Sequence, residues 1–376
     1  MVDRALSELD RYHRQILLPR IGEEGQRRLL ASHALVVGCG ALGTVLADAL
    51  ARAGVGTLTI VDRDTVELTN LQRQVLFDES DVRETIPKAT AAGAKLRRIN
   101  SAITVHAHVD DFNHRNAERY AQGADVLLDG LDNFETRYLL NDLAVRDGIP
   151  YVYGGAVATG GMSMVILPHP DRRASPEPRS RVRWTAEQST PCLRCIFPDA
   201  PPAGSMATCD TAGVLGPAVL TIAAHQATQA IKLLTGNVDA LDRSLYSIDV
   251  WENTTRRLDV SGARDAGTCP CCVSGRFEFL AGEASSATTS LCGRNAVQIT
   301  PASGEASPLD LASIATKLSA HGTFTHNGYL LHGRFSDVQG DSGPVELTLF
   351  PDGRAIIKGT TEPERARTIY AKYVGS

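Results

Sequence analysis

Short apolar runs alternate with longer amphipathic segments along the first 155 residues of the chain. In order, these blocks predict a helix at 10–31, a strand at 34–38, a helix at 42–53, a strand at 57–61, a helix at 87–99, a strand at 103–109, a helix at 114–121, a strand at 125–129, a helix at 134–147 and a strand at 150–153. The stretch "AVATGGMSMVILP" (156–168) adds one or two strands. Strands and helices that alternate at this spacing predict a doubly wound, mostly parallel α/β sheet.

The pattern changes after residue 167. Residues 168–190 are rich in proline and arginine and show almost no periodicity, so we expect a mobile surface loop there. An apolar helix at 213–235 follows, and "SLYSIDVWENTTRRLDV" (244–260) predicts two more strands. These segments complete a first domain of residues 1–280.

A stretch at 281–290 is rich in Ser, Ala and Thr, which is typical of a linker. The remaining residues, 291–376, have a pattern of their own. They predict a helix at 308–319, a strand at 328–335, a hairpin at 345–359 that turns at Pro351-Asp352-Gly353, and a helix at 363–373. We therefore expect a small C-terminal α/β domain.

Composition narrows the class of protein. The chain has 376 residues, of which 43% are hydrophobic and 22% charged, with a net charge of −5. This balance is ordinary for a soluble globular protein and does not favour a nucleic-acid or membrane partner. His225 and Lys232 interrupt the 213–235 helix, so it reads as a core helix rather than a membrane span. The N-terminus lacks the apolar core of a signal peptide, and we expect a cytoplasmic protein.

The clearest chemical signal is Gly38-x-Gly40-x-x-Gly43, which lies between the first strand and the second helix. Asp62 follows at the end of the next strand. In a Rossmann-like sheet such glycines allow a phosphate to approach the backbone, and such an acid binds ribose hydroxyls. The glycines alone do not distinguish a redox dinucleotide from a nucleoside triphosphate.

The loops after the second and fourth strands favour a triphosphate that is cleaved. They carry carboxylates, amides and cations where such sheets bind ligands, namely Asp62, Asp64, Asn70 and Arg73, then Lys88, and then Asp129, Asp132, Asn133 and Arg137. Cleavage of a triphosphate needs cationic clamps and carboxylate-bound magnesium, whereas hydride transfer does not. A nicotinamide-dependent oxidoreductase remains the alternative that uses the same glycine turn.

Eight cysteines in an intracellular chain suggest metal or redox chemistry rather than disulfides. Two C-x-x-C pairs, Cys192 with Cys195 and Cys269 with Cys272, can form a closed tetrahedral zinc site. Such a site is structural because it leaves no position for a substrate. Cys271 is an extra thiol that competes as a ligand, and only the spacing favours Cys269.

Five stretches together resemble the MoeB/ThiF family, relatives of ubiquitin-activating enzymes. They are "RYHRQILLPRIGEEGQRRL", "VVGCGALG", "VDRDTVELTNLQRQ", "DGLDNFETRYLLND" and "CDTAGVLGP". The resemblance spans residues 10–275. It implies an adenylation domain that uses ATP to activate the C-terminal glycine of a ubiquitin-like sulfur carrier ending in Gly-Gly. The pathway would be the synthesis of molybdopterin, thiamine or a related sulfur-containing product.

The resemblance also implies roles for individual residues. Gly38, Gly40 and Gly43 would face the triphosphate, Asp62 the ribose, Asn70, Arg73 and Lys88 the phosphates, and Asp132 a magnesium ion. Arg14 resembles an arginine that one subunit lends to its partner's ATP, which implies a homodimer. The family carries a zinc site whose second half, "CPxC", fits "CPCC" here.

Cys209 matches a family position whose cysteine links covalently to the activated carrier or takes part in persulfide transfer. It precedes the 213–235 helix, whose N-terminus can lower the pKa of a thiol. An inert buried thiol is the alternative, and for Cys39 and Cys292 we favour packing. Some relatives end in a rhodanese domain. Residues 291–376 lack its catalytic cysteine loop, so we expect any sulfurtransferase to be a separate protein.

Overall fold

A computed structural model describes residues 9–172, 179–199, 212–264, 267–284, 288–291, 295–299, 309–341 and 343–375. Cys209 and Cys292 lie outside the described residues, so the predictions made for these two cysteines stay predictions. The described residues divide into two compact units. The larger unit ends at residue 284, and the smaller unit is described from residue 288 onward.

The larger unit is built on one eight-stranded sheet. Its strands are β1 His33–Val37, β2 Thr57–Asp62, β3 Thr104–Val109, β4 Val126–Asp129, β5 Tyr151–Val157, β6 Gly160–Ile166, β7 Leu245–Asp249 and β8 Thr254–Leu258. Their order across the sheet is β3-β2-β1-β4-β5-β6-β7-β8. The first five strands are parallel and the last three are antiparallel. The predicted doubly wound, mostly parallel sheet is confirmed.

Helices cover both faces of this sheet. They are α1 His13–Ile16, α2 Gly22–Ala31, α3 Ala41–Ala53, α4 Glu79–Arg83, α5 Lys88–Ile99, α6 Ala117–Tyr120, α7 Phe134–Asp147, α8 Leu193–Ile196 and α9 Gly216–Leu234. Successive residues of β1 point into different cores because side chains alternate along a strand. Val36 packs in the core that contains α3, α5 and α9, whereas Leu35 and Val37 pack in the core that contains α6 and α7. Both faces are therefore buried, as the apolar run in β1 requires.

The order of the parallel strands places the ligand edge of the sheet. β2 and β3 lie on one side of β1, and β4 and β5 lie on the other. Strands that leave β1 in opposite directions open a crevice at their carboxyl ends, which is where open α/β sheets bind ligands. The register pairs Val37 with Val61 on one side and with Asp129 on the other. The loops after β1, β2 and β4 therefore meet at one edge.

Two predicted segments differ in the structure. The expected helix at 10–31 is broken between α1 and α2, where Pro19 removes a backbone donor and restricts the residue before it. Residues 179–190, expected to be a mobile surface loop, are anchored to the sheet. The Ser180 hydroxyl donates to the carbonyl of Asp125 at 2.8 Å, and Arg181 pairs with the Asp125 carboxylate at 2.7 Å.

The smaller unit is an antiparallel sheet with two helices. Its elements are β9 Thr288–Leu291, β10 Ala296–Ile299, α10 Leu311–Leu318, β11 Gly322–His326, β12 Leu331–Gln339, β13 Pro344–Leu349, β14 Ala355–Lys358 and α11 Pro363–Tyr373. The strand order is β11-β12-β13-β14-β10-β9. The predicted hairpin turns at Gly353, which has a φ of +83°. β9 begins inside the segment 281–290 that reads as a linker.

α9 coincides with the predicted apolar helix at 213–235 and is largely buried against α3, β5 and β6. Within the described ranges, none of the helices combines the length and the apolarity that a membrane crossing requires.

Candidate active site

The three glycines form the turn between β1 and α3, and each occupies a different environment. Gly38 has a φ of +86°, and a Cβ there would lie 2.5 Å from the carbonyl oxygen of Gly130. A Cβ on Gly43 would lie 1.9 Å from the carbonyl oxygen of Gly38. Gly40 is open, because a Cβ on it would meet no atom closer than the Gln74 amide nitrogen, at 3.9 Å. Gly38 and Gly43 are thus required by packing, and Gly40 leaves room for a ligand at the N-terminus of α3.

Asp62, at the end of β2, is held by the backbone around it. Its carboxylate accepts the N–H of Cys39 at 2.6 Å and the N–H of Asp64 at 2.7 Å. Burial raises the pKa of Asp62, and the nearby ammonium of Lys88 opposes that effect. The structure thus ties the predicted ribose-binding acid directly to the glycine turn.

Lys88 and Asp64 form a partly buried ion pair beside Asp62. The Lys88 Nζ lies 3.0 Å from Asp64 Oδ2, and only 3% of the lysine side chain is exposed. The backbone N–H of Lys88 also donates to the carbonyl of Asp64 at 2.8 Å. Lys88 is therefore a fixed cation at the start of α5, at the edge of the sheet where the sequence places it.

Asn70 and Arg73 lie on the loop between β2 and α4. Asn70 is buried, and its side-chain oxygen accepts the N–H of Glu67 at 3.0 Å. Arg73 is partly exposed and donates to the carbonyl of Thr69 at 2.8 Å. This loop is ordered by its own hydrogen bonds, so its polar groups are positioned before any ligand binds.

Asp129 and Arg137 do not face the ligand edge as the sequence suggests. They form an ion pair with 3.2 Å between Arg137 Nε and Asp129 Oδ2, and Asp129 is fully buried. Asp129 also accepts the hydroxyl of Tyr151 at 2.7 Å and the N–H of Leu131 at 2.9 Å. Burial raises the pKa of Asp129, and Arg137 opposes this shift. The expectation that both side chains lie at the ligand edge is corrected, because they bond to each other and to the backbone of the turn after β4.

Asp132 and Asn133 lie at the top of that turn. Asp132 is exposed, and the Asn133 amide donates to Asp132 Oδ1 at 3.2 Å. The Asn133 side-chain oxygen accepts the N–H of Thr136 at 2.9 Å and so caps α7. The Asn133 side chain is therefore committed to the helix N-terminus, whereas the carboxylate of Asp132 is accessible to a ligand.

Arg14 lies far from this site in its own chain. The neighbouring Gln15 donates to the carbonyl of Ala53 at 3.0 Å, so α1 packs at the C-terminal end of α3. The glycine turn is at the other end of α3, which has 13 residues and is therefore about 20 Å long. Arg14 is exposed. Within one chain, the structure does not bring Arg14 to the glycine turn.

The two C-x-x-C pairs meet in space and form what we call the four-thiol cluster. The ligand atoms of Cys192, Cys195, Cys269 and Cys272 all lie within 4.8 Å of one another. Three of the sulfur–sulfur distances are 3.3, 3.6 and 3.8 Å. Four sulfurs at about 2.3 Å from a tetrahedral zinc would lie about 3.8 Å apart. The donor atoms and their spacing therefore fit a closed zinc site.

Cys271 is kept out of the cluster by other partners. The Asn141 amide donates to Cys271 Sγ at 3.3 Å. A hydrogen bond with Cys192 lowers the pKa of the Cys271 thiol, but burial and the carboxylate of Asp142 raise it by more, to about 11. Cys271 is not among the four cysteines whose sulfurs lie within 4.8 Å of one another. The spacing argument for Cys269 thus agrees with the geometry.

Gln74 and Arg63 lie in the stretch "VDRDTVELTNLQRQ", but the sequence does not distinguish them from its other polar residues. Gln74 is 3% exposed, lies beside Gly40, and has a side-chain oxygen without a hydrogen-bond partner among the described residues. Arg63 pairs with Asp111 at 2.7 Å. Burial opposes the charged form of Arg63, but Asp111, Asp64 and Asp132 together raise its pKa. Contacts of this kind depend on loops that are distant in sequence, so no spacing rule predicts them.

Comparison with known proteins places the chain in a family. The model of the ThiF family matches residues 12–271. The chain is 41% identical over 366 residues to the sulfur carrier protein ThiS adenylyltransferase of Bacillus subtilis (strain 168), a match that covers 97% of this chain and 99% of that relative. It is 38% identical over 265 residues to the sulfur carrier protein adenylyltransferase of Thermus thermophilus, covering 70% and 91% of the two chains.

Solved structures agree with the fold. The chain is similar to the crystal structure of E. coli MccB with MccA-N7isoASN, with a TM-score of 0.56 and 23% identity over 70% of this chain and 74% of that one. The family match covers most of the chain and includes the glycine turn, the loop after β2, the turn after β4 and three of the four cysteines of the four-thiol cluster. The chain therefore belongs to the ThiF family.

Proposed function

We propose that this protein is an ATP-dependent adenylyltransferase that activates the C-terminal glycine of a ubiquitin-like sulfur carrier, for thiamine, molybdopterin or a related sulfur-transfer pathway. The observation that carries the proposal is the convergence of three loops at the carboxyl edge of the sheet. The glycine turn, the Asp64–Lys88 pair and the exposed Asp132 carboxylate belong to these three loops. The similarity to adenylyltransferases over nearly the whole chain supports the same reaction.

The reaction is an in-line displacement at the α-phosphate of ATP. The carrier's terminal carboxylate attacks the phosphorus, the bond to the bridging oxygen breaks, and pyrophosphate leaves with the electron pair. The product is an acyl-adenylate. The nucleophile needs no general base because a terminal carboxylate is already ionised near neutral pH. Catalysis consists of positioning the reactants and neutralising the charge on the phosphates, to which Arg73 and Lys88 contribute.

Asp132 is the residue that would hold a magnesium ion. Magnesium is commonly bound by one or two carboxylates together with substrate phosphates, and Asp132 offers an exposed carboxylate beside the glycine turn. When bound, the ion neutralises phosphate charge. Asp62 would bind the ribose, since its carboxylate is fixed by two backbone N–H groups at the end of β2.

The four-thiol cluster would hold a structural zinc ion. Four thiolates fill the coordination shell of zinc, so the ion contributes folding energy rather than catalysis. Cys209, which lies outside the described residues, remains our candidate for a covalent link to the activated carrier. A separate sulfurtransferase would then supply sulfur.

We also propose that the active form is a homodimer in which Arg14 completes the partner's site. Arg14 is exposed and lies at the far end of α3 from the glycine turn of its own chain. Leu17 and Leu18, which follow it, are 58% and 53% exposed. Exposed leucines next to an arginine that has no role in its own site support a subunit interface here.

Carrier-dependent exchange of pyrophosphate into ATP tests this function. With carriers that end in Gly-Gly, we expect Asp132→Ala to lower the exchange rate roughly a hundredfold, because it removes a charge that acts in the transition state. Glu23→Ala is the matched control. It removes another exposed carboxylate, one that pairs with Arg27 on the surface of α2, and should leave the rate unchanged.

The outcome separates the two candidate functions. An adenylyltransferase gives exchange only when a carrier is present. A nicotinamide-dependent oxidoreductase gives no exchange with any carrier and binds NAD tightly, and that combination would overturn the proposal. If the exchange rate is unchanged in Asp132→Ala, the protein has the proposed activity but Asp132 does not contribute to it.

A further inference from the structure

We infer that Asn141 is a positioning residue that couples the four-thiol cluster to the catalytic turn, so that a divalent metal at the cluster fixes the position of Asp132 through helix α7. The catalytic turn is defined as residues 129–133, between β4 and α7. The two sites share no ligand residue. What connects them is one helix whose side chains bond to both.

The first half of α7 is fixed to the catalytic turn. Asn133 caps the helix by accepting the N–H of Thr136. One turn further on, Arg137 donates to the carbonyl of Leu131 at 2.7 Å and pairs with Asp129. These bonds hold the backbone on either side of Asp132. A shift of α7 along its axis would therefore move the turn with it.

The second half of α7 is fixed to the cluster, chiefly by Asn141. This residue is fully buried and uses both ends of its amide. Its oxygen accepts the N–H of Leu193, which directly follows the ligand Cys192, at 2.8 Å. Its nitrogen donates to Cys271, which lies between the ligands Cys269 and Cys272. One side chain thus bonds to both C-x-x-C segments.

Neighbouring residues of α7 strengthen this end without replacing Asn141. The Tyr138 hydroxyl donates to the carbonyl of Phe197, two residues after Cys195, at 2.9 Å. The carboxylate of the fully buried Asp142 accepts the N–H of Phe279 at 3.0 Å. The bonds to Phe197 and Phe279 reach segments that flank the cluster, and Asp142 also bonds to the Cys271 thiol. Asn141 differs in that it bonds to both C-x-x-C segments.

The distance between the two ends makes α7 a suitable link. Asn133 and Asn141 are eight residues apart, which is about 12 Å along a helix. Both ends are hydrogen-bonded to their surroundings, and the helix is largely buried from Arg137 onward, so we expect it to move as a unit. Without metal, four neighbouring thiols have no common partner and the two segments separate more easily. Asn141 then loses its fixed anchors, and the catalytic turn loses one of its constraints.

Loss of the link has a specific kinetic signature. The glycine turn, Arg73 and Lys88 belong to other elements, so nucleotide binding keeps most of its contacts. Asp132 acts on charge that develops during the reaction. We expect Asn141→Ala to lower kcat about tenfold, the usual cost of removing a residue that orients a site from outside, with little change in the KM for ATP. This kinetic readout rests on the proposed function.

Hydrogen exchange provides a readout that does not depend on activity. The full-length protein is compared with Zn²⁺ bound and after removal of Zn²⁺ by a chelator. In the wild type, we expect removal to speed exchange several-fold in the peptide covering 129–136. In Asn141→Ala, that peptide exchanges at the faster rate whether or not Zn²⁺ is bound. Transfer of Zn²⁺ to a chromogenic chelator should also be about tenfold faster in this variant.

Two further variants guard against simple misfolding. Cys271→Ala removes the same hydrogen bond from the other side and should reproduce the faster exchange at 129–136 in milder form, because Leu193 still bonds to Asn141. Arg146→Ala is the matched control. It lies on α7 beyond Asn141 and pairs with Glu118 and Asp147, so it should change neither readout.

Two results would overturn the inference. One is exchange at 129–136 that does not respond to Zn²⁺ removal in the wild type. The other is an Asn141→Ala protein that releases Zn²⁺ faster but keeps wild-type exchange at 129–136 and wild-type kcat. If no carrier supports pyrophosphate exchange in any variant, the proposed function fails, while the hydrogen-exchange comparison still decides this inference.

Discussion

Gly40 and Gly43 belong to one motif but have opposite surroundings. A Cβ at Gly43 would overlap the carbonyl of Gly38, whereas a Cβ at Gly40 would meet no atom closer than 3.9 Å. Gly43 is required by the packing of α3 against the turn. Gly40 is required only if something must approach the backbone from the open side. Substitutions at the two positions should therefore fail in different ways.

We expect Gly43→Ala to lower the unfolding temperature strongly, because a backbone carbonyl cannot move aside as a side chain can. The loss of stability should exceed the roughly 1–3 kcal/mol of ordinary overpacking. Gly40→Ala should cost clearly less stability but weaken ATP binding tenfold or more, since the methyl group occupies the space of a phosphate. Thermal unfolding and calorimetric titration with ATP measure both effects. A Gly40→Ala protein that binds ATP normally would show that the phosphates do not approach this face.

The individual residues also show how far sequence reasoning reaches. The glycines, Asp62 and Lys88 follow from local patterns, and the structure brings them to one edge. Arg137 shares the motif "DGLDNFETRYLLND" with Asp132 but turns inward to the buried Asp129. The direction of the Arg137 side chain depends on Tyr151, which lies on another strand and hydrogen-bonds to the same carboxylate of Asp129. Pattern and spacing locate a residue along the chain, but they do not determine which way its side chain points.

Among the elements, α7 shows how signals at the two ends of a helix place it where the sequence predicts it. α7 spans Phe134–Asp147, as expected, because its N-cap Asn133 and the left-handed Gly148 mark both ends. The sequence does not predict β11, because its residues, Gly322–His326, are mostly polar or exposed and lack an apolar run. It is a strand because β12 pairs with it. Edge strands of this kind are defined by their neighbours.

The four-thiol cluster allows a direct test at the level of these elements. The purified protein should contain one zinc ion per chain, measured by mass spectrometry of the metal. Cys195→Ser should lose most of this zinc and unfold at a lower temperature, because three thiolates leave the coordination shell open. Cys271→Ser is the matched control and should retain zinc, since Cys271 bonds to Asn141 outside the cluster. Zinc retained in the first variant and lost in the second would reverse the ligand assignment.

For the molecule as a whole, the position of Arg14 predicts an active site shared between subunits. We expect Arg14→Ala and Asp132→Ala to be inactive alone and to recover activity when mixed under conditions that exchange subunits. A mixed dimer has one intact site, made of Asp132 from one chain and Arg14 from the other. With random exchange at equal amounts, about a quarter of wild-type activity should return.

Size-exclusion chromatography before and after mixing verifies that dimers form and exchange. Each variant incubated alone is the control. Mixtures that exchange subunits but stay inactive would place Arg14 in the site of its own chain, which the 13-residue length of α3 argues against.

The four-thiol cluster has a consequence for the order in which the chain acquires its structure. It brings together Cys192 and Cys269, which are 77 positions apart, and the second pair lies close to the C-terminal end of the larger unit, at Ala284. Closing a loop of that length in an unfolded chain costs roughly 4 kcal/mol of free energy, because the chain loses conformational entropy. Once the sheet has folded, the two pairs are already close and binding of the metal no longer carries this cost. We therefore expect the proposed zinc ion to be captured late in the translation of this unit, after the strands have paired. A ribosome-bound chain that stops before Cys269 should hold the sheet without the ion, which makes metal capture the closing step of its biogenesis.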